Sequence, residues 1–470
     1  MNNVLKSLSL LSLTLLVTSC GSVTSSTNGN GSSYEEQEPF ELASNVAINK
    51  EQFFRVKSPK ECTQTNKNRF IYQVMGDSYL WANTTPELDY SDTVTYSTSE
   101  KMLKALKSEH DKFSFILDAK TSQSFFEEGK NSDFGVGLQT TRIDSNTTGL
   151  VIQFVYANSP ADKLGVKRGD IVTKIDEKLI NEENWSDIVG RLTKHESVKF
   201  TFLRQDGTTE DKILTKDSYS IDTILYSSIL ANENQSKRIG YMVFQDFIKS
   251  ANGQIDAEFN KFKQANVNEL ILDLRYNGGG YVYVANHLAS LIGGSNVSEN
   301  IFSKTMLNER YSRYNETSYF EKYNVNALNL ERVFVITTNA TCSSSELVIN
   351  SLKASANNVE VIQIGKPTCG KPYGYAGSGK VCDKALYVIN EESKNGDDVG
   401  GYVDGITPKC EAKDNILKAF GDTEEDSLKE ALYYITNNRC SVKKSKQTRV
   451  QKKLDLQLPK DGFKRIMSAY

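Results

Sequence analysis

The chain has very little histidine, and its cysteines lack the close spacing typical of zinc sites. The three histidines, His110, His195 and His287, are scattered along the sequence, and no Cys-x-x-Cys pair is present. A structural zinc site or a Cys/His enzyme therefore has little support. The formal net charge is only −3, which argues against general affinity for nucleic acid. No repeat of the length found in solenoid proteins is evident.

The chain also lacks an apolar run of the length expected for a membrane span at its N-terminus. Residues 8–17 are apolar and follow Lys6, but a spanning helix needs about 20 such residues. The pattern predicts a cleaved signal peptide over residues 1–19. Small residues before Cys20 resemble a bacterial lipobox, which implies lipidation of Cys20 and a membrane anchor. A plain signal peptide with an incidental cysteine is the alternative.

The residue after Cys20 and the composition that follows bear on where the protein is held. Gly21 at this position favours sorting to the outer membrane, facing the periplasm of a bacterial cell envelope. Residues 21–34 are rich in Ser, Thr, Asn and Gly, so residues 20–46 are expected to form a flexible, lipidated tether.

A cluster of three serines follows an apolar run and precedes a helical pattern. Ser343, Ser344 and Ser345 lie between residues 333–338, a predicted strand, and residues 347–352, a predicted helix. At a helix start, unpaired N–H groups and the helix dipole favour the negative charge that develops during acyl transfer. The pattern suggests a nucleophilic serine, although serines are also common helix caps.

A lone lysine follows a second predicted strand, residues 359–364. Lys371 has uncharged neighbours, so it can be buried, and burial would lower its pKa from about 10.4 toward the range of a general base. Most lysines are solvated, so this segment alone is weak support for a Ser/Lys hydrolase.

A glycine turn follows a third predicted strand. Residues 270–275 are predicted to form a buried strand, and Asn277 is followed by Gly278, Gly279 and Gly280. Such a turn lets the backbone approach a ligand closely and can donate N–H groups to an oxyanion. The alternative is an ordinary turn before the helix expected at residues 283–292.

Together these three segments resemble the carboxyl-terminal processing, or tail-specific, peptidase family. Its members carry a D-L-R-x-N-x-G-G turn, an S-A-S-E serine and a G-K lysine in the same order. The resemblance implies that Ser343 is the nucleophile and Lys371 the general base. It implies that the N–H groups of Ser344 and Gly279 form the oxyanion hole, and that no metal or cofactor is needed.

The sequence departs from the family pattern beside both predicted catalytic side chains. Ser344 replaces the alanine often found between the serines, so the choice of Ser343 depends on its position relative to Glu346. Many members have a glutamine four residues after the lysine, where this chain has Tyr375. The group that orients Lys371 is therefore left open. A Ser/His mechanism using His287 is the alternative for the base.

A second group of motifs lies upstream and resembles a PDZ domain. Its glycine loop, which would bind a peptide carboxylate while the peptide adds as a strand, comprises Gly135, Val136, Gly137 and Leu138. The other matching segments are Ser-Pro-Ala at 159–161 and Gly-Asp-Ile-Val at 169–172. Strands are predicted at residues 150–156, 170–175 and 198–203, and a helix at 183–192. An ordinary small β domain with glycine turns is the alternative.

The even number of remaining cysteines favours disulfides in an exported chain. Apart from Cys20 they are Cys62, Cys342, Cys369, Cys382, Cys410 and Cys440. Six cysteines allow fifteen connectivities, so the pairing cannot be derived from sequence. Cys410 with Cys440 and Cys369 with Cys382 are plausible pairs. A bridge involving Cys342 or Cys369 could fix the site, and Cys342 itself could instead be a nucleophile.

The resemblance implies an α/β architecture with a crotonase-like peptidase domain, a PDZ domain and a helical N-terminal region. The predicted segments are a helical region at 47–118, a PDZ domain at 119–207, a Ser/Lys peptidase domain at 208–440 and a basic extension at 441–470. The predicted function is an exported serine endopeptidase that cleaves unfolded or flexible proteins recruited by their C-termini. A non-catalytic PDZ scaffold and a non-peptide acyl hydrolase are the alternatives. The oligomeric state and any role of the basic extension are left open.

Overall fold

The computed structural model describes most of the chain after residue 55. The described residues are 56–143, 148–181, 183–204, 206–231, 237–322, 325–375 and 379–442. The predicted signal peptide, Cys20, the tether and residues 443–470 of the basic extension lie outside them. Within the described ranges, no helix combines the length and apolar character that crossing a bilayer requires.

The N-terminal region contains two main helices, each started by a side-chain cap. Its elements are α1 (Gln64–Asp77), α2 (Ser99–Leu106), β1 (Phe115–Asp118) and α3 (Ala119–Phe126). Thr63 caps α1 by accepting the Asn66 N–H at 3.2 Å, and Thr98 caps α2 in the same way. The helical pattern predicted for residues 47–118 is confirmed for these two helices, while the described segment between them consists mainly of turns and one short 3₁₀ helix.

The middle region is a small antiparallel sheet packed against helices. Its main sheet has the strand order β3-β4-β5-β7-β8, with β6 beside β5. The elements are β2 (Lys130–Asp133), β3 (Val136–Arg142), β4 (Thr148–Val155), α4 (Pro160–Lys163), β5 (Ile171–Ile175), β6 (Lys178–Leu179), α5 (Trp185–Lys194), β7 (Ser197–Leu203), β8 (Thr209–Thr215) and β9 (Asp217–Ser220). The predicted strands and the helix are confirmed, but β8 extends the sheet past the expected boundary at residue 207.

The C-terminal region is built on a six-stranded sheet in the order β10-β11-β12-β15-β16-β21, parallel from β11 onward. Its strands are β10 (Ile224–Ala231), β11 (Arg238–Phe244), β12 (Glu269–Asp273), β15 (Arg332–Thr337), β16 (Glu360–Gly365) and β21 (Cys410–Glu411). The helices around it are α6 (Ala251–Gln264), α7 (Val282–Gly293), α8 (Ser344–Leu352) and α9 (Asp426–Asn437).

Strand alternation explains why helices cover both faces of this sheet. Met242 and Phe244 pack in one core with α6, α7 and α8, while Tyr241 and Val243 point to the other core, which includes α9. Successive strand residues point to opposite faces, so a sheet that is apolar on both must be covered on both. This arrangement confirms the predicted mixed α/β class.

Two smaller sheets flank the main sheet, and one of them includes a strand of the N-terminal region. They have the strand orders β14-β13-β20-β17 and β1-β19-β18. Their remaining strands are β13 (Ile301–Leu307), β14 (Glu316–Tyr319), β17 (Tyr373–Gly374), β18 (Gly379–Val381), β19 (Lys384–Tyr387) and β20 (Glu391–Lys394). The register of Phe115 with Tyr387 ties β1 to β19. The N-terminal region is therefore joined to the strands that follow Lys371.

Candidate active site

The carboxyl ends of three neighbouring strands bring the predicted site segments together. The strands β12, β15 and β16 are adjacent and parallel, and the segments that hold Gly279, Ser343 and Lys371 follow their ends. Crevices at this edge of a parallel sheet are where ligands bind in α/β proteins. The strand order therefore places the glycine turn, the serine and the lysine at one edge.

Ser343 occupies a strained turn directly before α8. Its φ of 56° lies in the left-handed region, which costs a residue other than glycine about 1–3 kcal/mol. The turn is held from both sides, because the Cys342 N–H donates to Asn277 O at 3.0 Å and the Leu347 N–H donates to Ser343 O at 2.8 Å. Such strain persists where the surroundings determine the geometry, as they do at many functional sites.

The structure distinguishes Ser343 from the two serines that follow it. Ser344 and Ser345 are buried, and their hydroxyls donate to Gly280 O at 2.6 Å and to Asn277 O at 3.0 Å. Ser343 is only half-buried. Among the three serines it is therefore the one with access for a substrate, which supports the sequence-based choice.

The glycine turn packs directly against the serine turn. Gly279 has φ of 104°, and a Cβ at this position would lie 2.7 Å from Ser343 Cβ and 3.0 Å from the Ser344 nitrogen. Only glycine fits such an approach. The Gly279 N–H donates to Asn277 Oδ1 at 2.9 Å. A substrate oxygen at this N–H would have to take the place of that side chain.

Lys371 is buried in an apolar and aromatic environment. The residue is only 5% exposed. Its Nζ lies 4.1 Å from the centre of the Tyr375 ring and 5.6 Å from the centre of the Phe113 ring. Burial lowers the pKa of Lys371 from 10.5 to about 8, while the negative charges of Glu346, Asp111 and Glu391 act in the opposite direction. An amine with this pKa is partly neutral near physiological pH and can accept a proton.

Glu346 links the serine turn to the lysine turn. One carboxylate oxygen, Oε2, accepts the N–H of Ser343 at 2.8 Å and the N–H of Lys371 at 2.9 Å. The other, Oε1, accepts the N–H of Gly370 at 2.8 Å and the hydroxyl of Thr368 at 2.6 Å. Because both N–H groups bond the same oxygen, the backbone nitrogens of Ser343 and Lys371 lie no further apart than the two hydrogen-bond lengths added together. Burial raises the pKa of Glu346, and the four donors oppose that rise.

The sequence-based reasoning missed both Glu346 as a connector and Phe113 as a neighbour of Lys371. The spacing from Ser343 to Glu346 is that of a capping box, Ser-x-x-Glu, so the bond to the Ser343 N–H was open to prediction. The bonds to Gly370 and Lys371 were not, because they depend on how two loops meet. Phe113 lies 258 positions before Lys371 and carries no local signal of this contact.

The disulfides agree with the predicted pairs in part. Cys410 bonds Cys440, as predicted, with a Cα–Cα distance of 5.5 Å. The predicted pair of Cys369 with Cys382 is wrong, because Cys369 bonds Cys342 and Cys382 bonds Cys62. The Cys342–Cys369 bridge brings the chain before Ser343 to the chain before Lys371, at a Cα–Cα distance of 5.3 Å. With its sulfur in a disulfide, Cys342 is not a nucleophile.

The described residues contain one cluster with the composition of a metal site, and it cannot serve as one. It consists of Cys410, Glu430 and Cys440. The sulfurs of Cys410 and Cys440 are joined in a disulfide, whereas a cysteine that binds a metal must be a free thiolate.

His287 is placed by the structure in an ion-paired position on α7. It is 7% exposed, with Nδ1 2.9 Å from Glu321 Oε2 and Nε2 3.2 Å from Asp256 Oδ1. Burial disfavours its charged form, but the two carboxylates outweigh this and raise the pKa of His287 above 6.5. Both ring nitrogens are occupied, so this histidine has no free nitrogen with which to activate Ser343.

We expect the His287→Gln variant to lose stability at acidic pH and to keep its catalytic turnover. Because the folded-state pKa is raised, the ion pairs stabilise the fold fully below the unfolded pKa of about 6.5, and this contribution disappears as pH rises through the folded pKa. Urea unfolding at pH 5.5 and 8.5 should therefore show a larger difference from the parent at pH 5.5. A large loss of turnover in the folded variant would return His287 to consideration as the base.

In the predicted carboxylate loop, Gly135 directly precedes β3, and Val136, Gly137 and Leu138 are its first three residues. β3 is an edge strand of the middle sheet. Gly135 has φ of 80°, and its N–H donates to Asp133 Oδ1 at 2.7 Å. A Cβ on Gly137 would lie 2.3 Å from the Phe154 ring, so the loop packs tightly on β4. The side chains of Val136 and Leu138 are buried in the core of this region.

Comparison with known proteins points to one family in two parts of the chain. The model of the family described as Peptidase family S41 matches residues 238–380, and that of the Peptidase S41 N-terminal domain matches residues 66–115. A solved structure from Bacteroides fragilis NCTC 9343, which carries the designation S41 protease, has a TM-score of 0.63 and 21% identity. The match covers 78% of this chain and 97% of that one, and shows a shared fold.

Curated relatives share a lower proportion of the sequence. A protein named "Probable CtpA-like serine protease" from Staphylococcus saprophyticus is 22% identical over 302 residues, which is 64% of this chain and 56% of the relative. One of the same name from Staphylococcus epidermidis is 25% identical over 246 residues, 52% of this chain and 44% of the relative. The chain thus spans about half the length of the curated relatives it matches.

Proposed function

The chain belongs to peptidase family S41, a family of serine-type peptidases, and from this premise we propose that it is an exported endopeptidase that uses Ser343 and Lys371 as a catalytic dyad. Its substrates are unfolded or flexible proteins recruited by their C-termini. The observation that carries the proposal is the shared carboxylate oxygen of Glu346, which holds the Ser343 and Lys371 amides beside each other.

The first chemical step is the attack of Ser343 on the scissile carbonyl. The neutral amine of Lys371 takes the hydroxyl proton as Ser343 Oγ forms a bond to the carbonyl carbon. The resulting ammonium then gives a proton to the leaving amine as the peptide bond breaks. An acyl-enzyme and a free amine are the products of this step.

The oxyanion of the tetrahedral intermediate is held by backbone donors. The Ser344 N–H at the start of α8 is one donor, and the Gly279 N–H is the other once the substrate oxygen replaces Asn277 Oδ1. Hydrogen bonds of this kind often form fully only in the complex with substrate. Water, activated by the neutral Lys371, then hydrolyses the acyl-enzyme and restores Ser343.

The middle region acts as a PDZ domain in this proposal. A substrate C-terminus binds at the loop of Gly135, Val136, Gly137 and Leu138, and adds as a strand to β3, which is at the edge of its sheet. Tethering by the tail raises the local concentration of the adjoining polypeptide at Ser343. The peptidase region is of the crotonase-like kind in the same proposal.

The proposed location is the bacterial cell envelope. Cleavage before Cys20 and lipidation of its sulfur would anchor the protein to the outer membrane, facing the periplasm. The three disulfides support an oxidising compartment, where such bonds persist.

The proposal is tested by the cleavage of one unfolded protein in two forms, with either a free or an amidated apolar C-terminus. We expect the purified protein to cut the free-tail form at least about tenfold faster at low substrate concentration, because the amide removes the carboxylate that the loop binds. Fragments would be identified by mass, and Ser343→Ala protein serves as the inactive sample.

The outcomes separate the proposal from its alternatives. Tail binding without fragments in either form would favour a non-catalytic scaffold. Cleavage of simple esters with intact polypeptides would favour a non-peptide acyl hydrolase. Equal cleavage of both forms would leave the peptidase assignment in place and overturn recruitment by the C-terminus.

A further inference from the structure

The side chain of Tyr375 lies against the amine of Lys371. The 4.1 Å between Nζ and the ring centre is within the range of a cation–π contact, and the second ring, Phe113, is further away at 5.6 Å. In the described part of the chain, this amine has no hydrogen-bond acceptor and no carboxylate within ion-pairing distance. The aromatic face of Tyr375 therefore contacts the amine directly, while Glu346, Asp111 and Glu391 favour its charged form from beyond ion-pairing distance.

The Tyr375 ring is fixed at its hydroxyl end and along its edges. Its O–H donates to Phe113 O at 2.7 Å. Its ring makes edge-to-face contacts with Phe115 at 5.7 Å and with Tyr387 at 5.5 Å. Because movement of the ring would break the hydroxyl bond and these ring contacts, the ring can hold the Lys371 amine in place.

The anchor for Tyr375 comes from the N-terminal region. Phe113 belongs to a turn organised by Asp111, whose Oδ1 accepts the N–H groups of Phe113 at 2.9 Å and Ser114 at 2.8 Å. The hydroxyl of Tyr79 donates to the other oxygen of Asp111 at 2.9 Å. The N-terminal region therefore determines where the Phe113 carbonyl lies, and with it the position of the Tyr375 ring.

We propose that Tyr375 is the positioning residue for Lys371, and that its ring, anchored on Phe113 O, both locates the amine and stabilises its protonated form. This deepens the proposed function, since it rests on Lys371 acting as the base. The negative ring face attracts an ammonium and does not attract a neutral amine to the same degree. The contact therefore strengthens when Lys371 takes the proton of Ser343.

The test measures the titration of Lys371 in Tyr375→Leu and Tyr375→Met, which lack the ring, and in Tyr375→Phe, which keeps it. Acetylation of Lys371 by acetic anhydride, read by mass at a series of pH values, follows the neutral amine without turnover. Loss of the ring should move the midpoint about one pH unit lower, since it removes stabilisation of the charged form. Tyr375→Phe should keep the parent midpoint within about 0.3 unit.

Kinetics on a short peptide provide the second readout. At a pH above both midpoints, kcat of the ring-lacking variants should fall at least about tenfold with little change in KM, because the amine is neutral but no longer in place. Tyr375→Phe should lose about threefold in kcat through its missing anchor. The matched control is Tyr373→Leu, two residues earlier, whose ring packs on Trp81 at 5.1 Å.

Each outcome bears on the proposal separately from the peptidase assignment. A folded ring-lacking variant with the parent acetylation midpoint would overturn it, as would a one-unit shift in Tyr375→Phe. If neither ring-lacking variant folds, Tyr375→Phe decides: a parent midpoint together with the loss of about threefold in kcat supports the proposal, and a parent kcat overturns it. If Ser343 proves not to be a nucleophile, the acetylation midpoints still report whether Tyr375 sets the charge of Lys371.

Discussion

Alanine at Ser343 or at Lys371 is expected to lower kcat/KM for an unfolded protein by about 10⁴-fold or more, with the fold retained. Ser343→Ala removes the proposed nucleophile. Lys371→Ala removes the only candidate base whose amine is both buried and free of a carboxylate partner in the described residues. Because the two side chains act in one step, the double variant should be no worse than either single variant.

The measurement compares initial rates for the parent, the two single variants and the double variant. Lys366→Ala is the matched control for the lysine, since Lys366 lies five residues before Lys371 and is exposed. Ser355→Ala is the control for the serine, on the exposed segment after α8. Near-parent turnover in Lys371→Ala would refute the dyad even if Ser343→Ala were inactive.

The pH profile gives the same prediction a second signature. In the proposed mechanism Lys371 reacts in its neutral form, and burial lowers the pKa of this amine to about 8. The parent kcat/KM should therefore be low at pH 6, rise tenfold per pH unit and level off above about pH 8. Any residual hydrolysis by Lys371→Ala should lack this rise.

Much of the fold was predictable because hydrophobic periodicity in this chain is locally consistent. The apolar runs that became β12, β15 and β16 are buried on both faces, as parallel strands between helices must be. Their ends carry the glycine turn, Ser343 and Lys371, so the order of these segments along the sequence already indicated one site. The observed end of the middle sheet was not predictable, since β8 is largely exposed and charged.

The surroundings of the site were less predictable because they depend on distant contacts. Tyr375 was recognised as a departure at the fourth position after Lys371, but its partner Phe113 lies 262 positions away. Likewise, the cysteine spacing carried no information about whether Cys369 would meet Cys342 or Cys382. The charge and position of Lys371 are determined by these tertiary contacts, and a local pattern does not encode them.

Substitution of Glu346 is expected to remove activity and much of the stability at once. The residue is fully buried, and alanine would leave three backbone N–H groups and the Thr368 hydroxyl without their acceptor. Each unsatisfied buried donor costs about 1–3 kcal/mol, so Glu346→Ala should lower the free energy of unfolding by about 3–5 kcal/mol after partial rehydration. The Ser343 and Lys371 turns would also lose their shared oxygen.

Glu346→Gln separates the hydrogen bonds from the charge. If the glutamine amide oxygen takes the place of Oε2, the N–H groups of Ser343 and Lys371 keep their acceptor. The amide nitrogen then faces the Gly370 N–H, which is left without an acceptor. The variant should therefore be less destabilised than Glu346→Ala. In the parent, the negative charge of Glu346 raises the pKa of Lys371, so its loss should lower that pKa. The rise of kcat/KM with pH should then occur below about pH 8. Urea unfolding measures the change in stability, and pH profiles measure the shift in the pKa of Lys371.

The control is Glu360→Ala, which removes an exposed glutamate paired with Lys409 and should change stability by less than about 0.5 kcal/mol. A Glu346→Ala variant with parent-like stability and turnover would show that this carboxylate does not hold the two turns together.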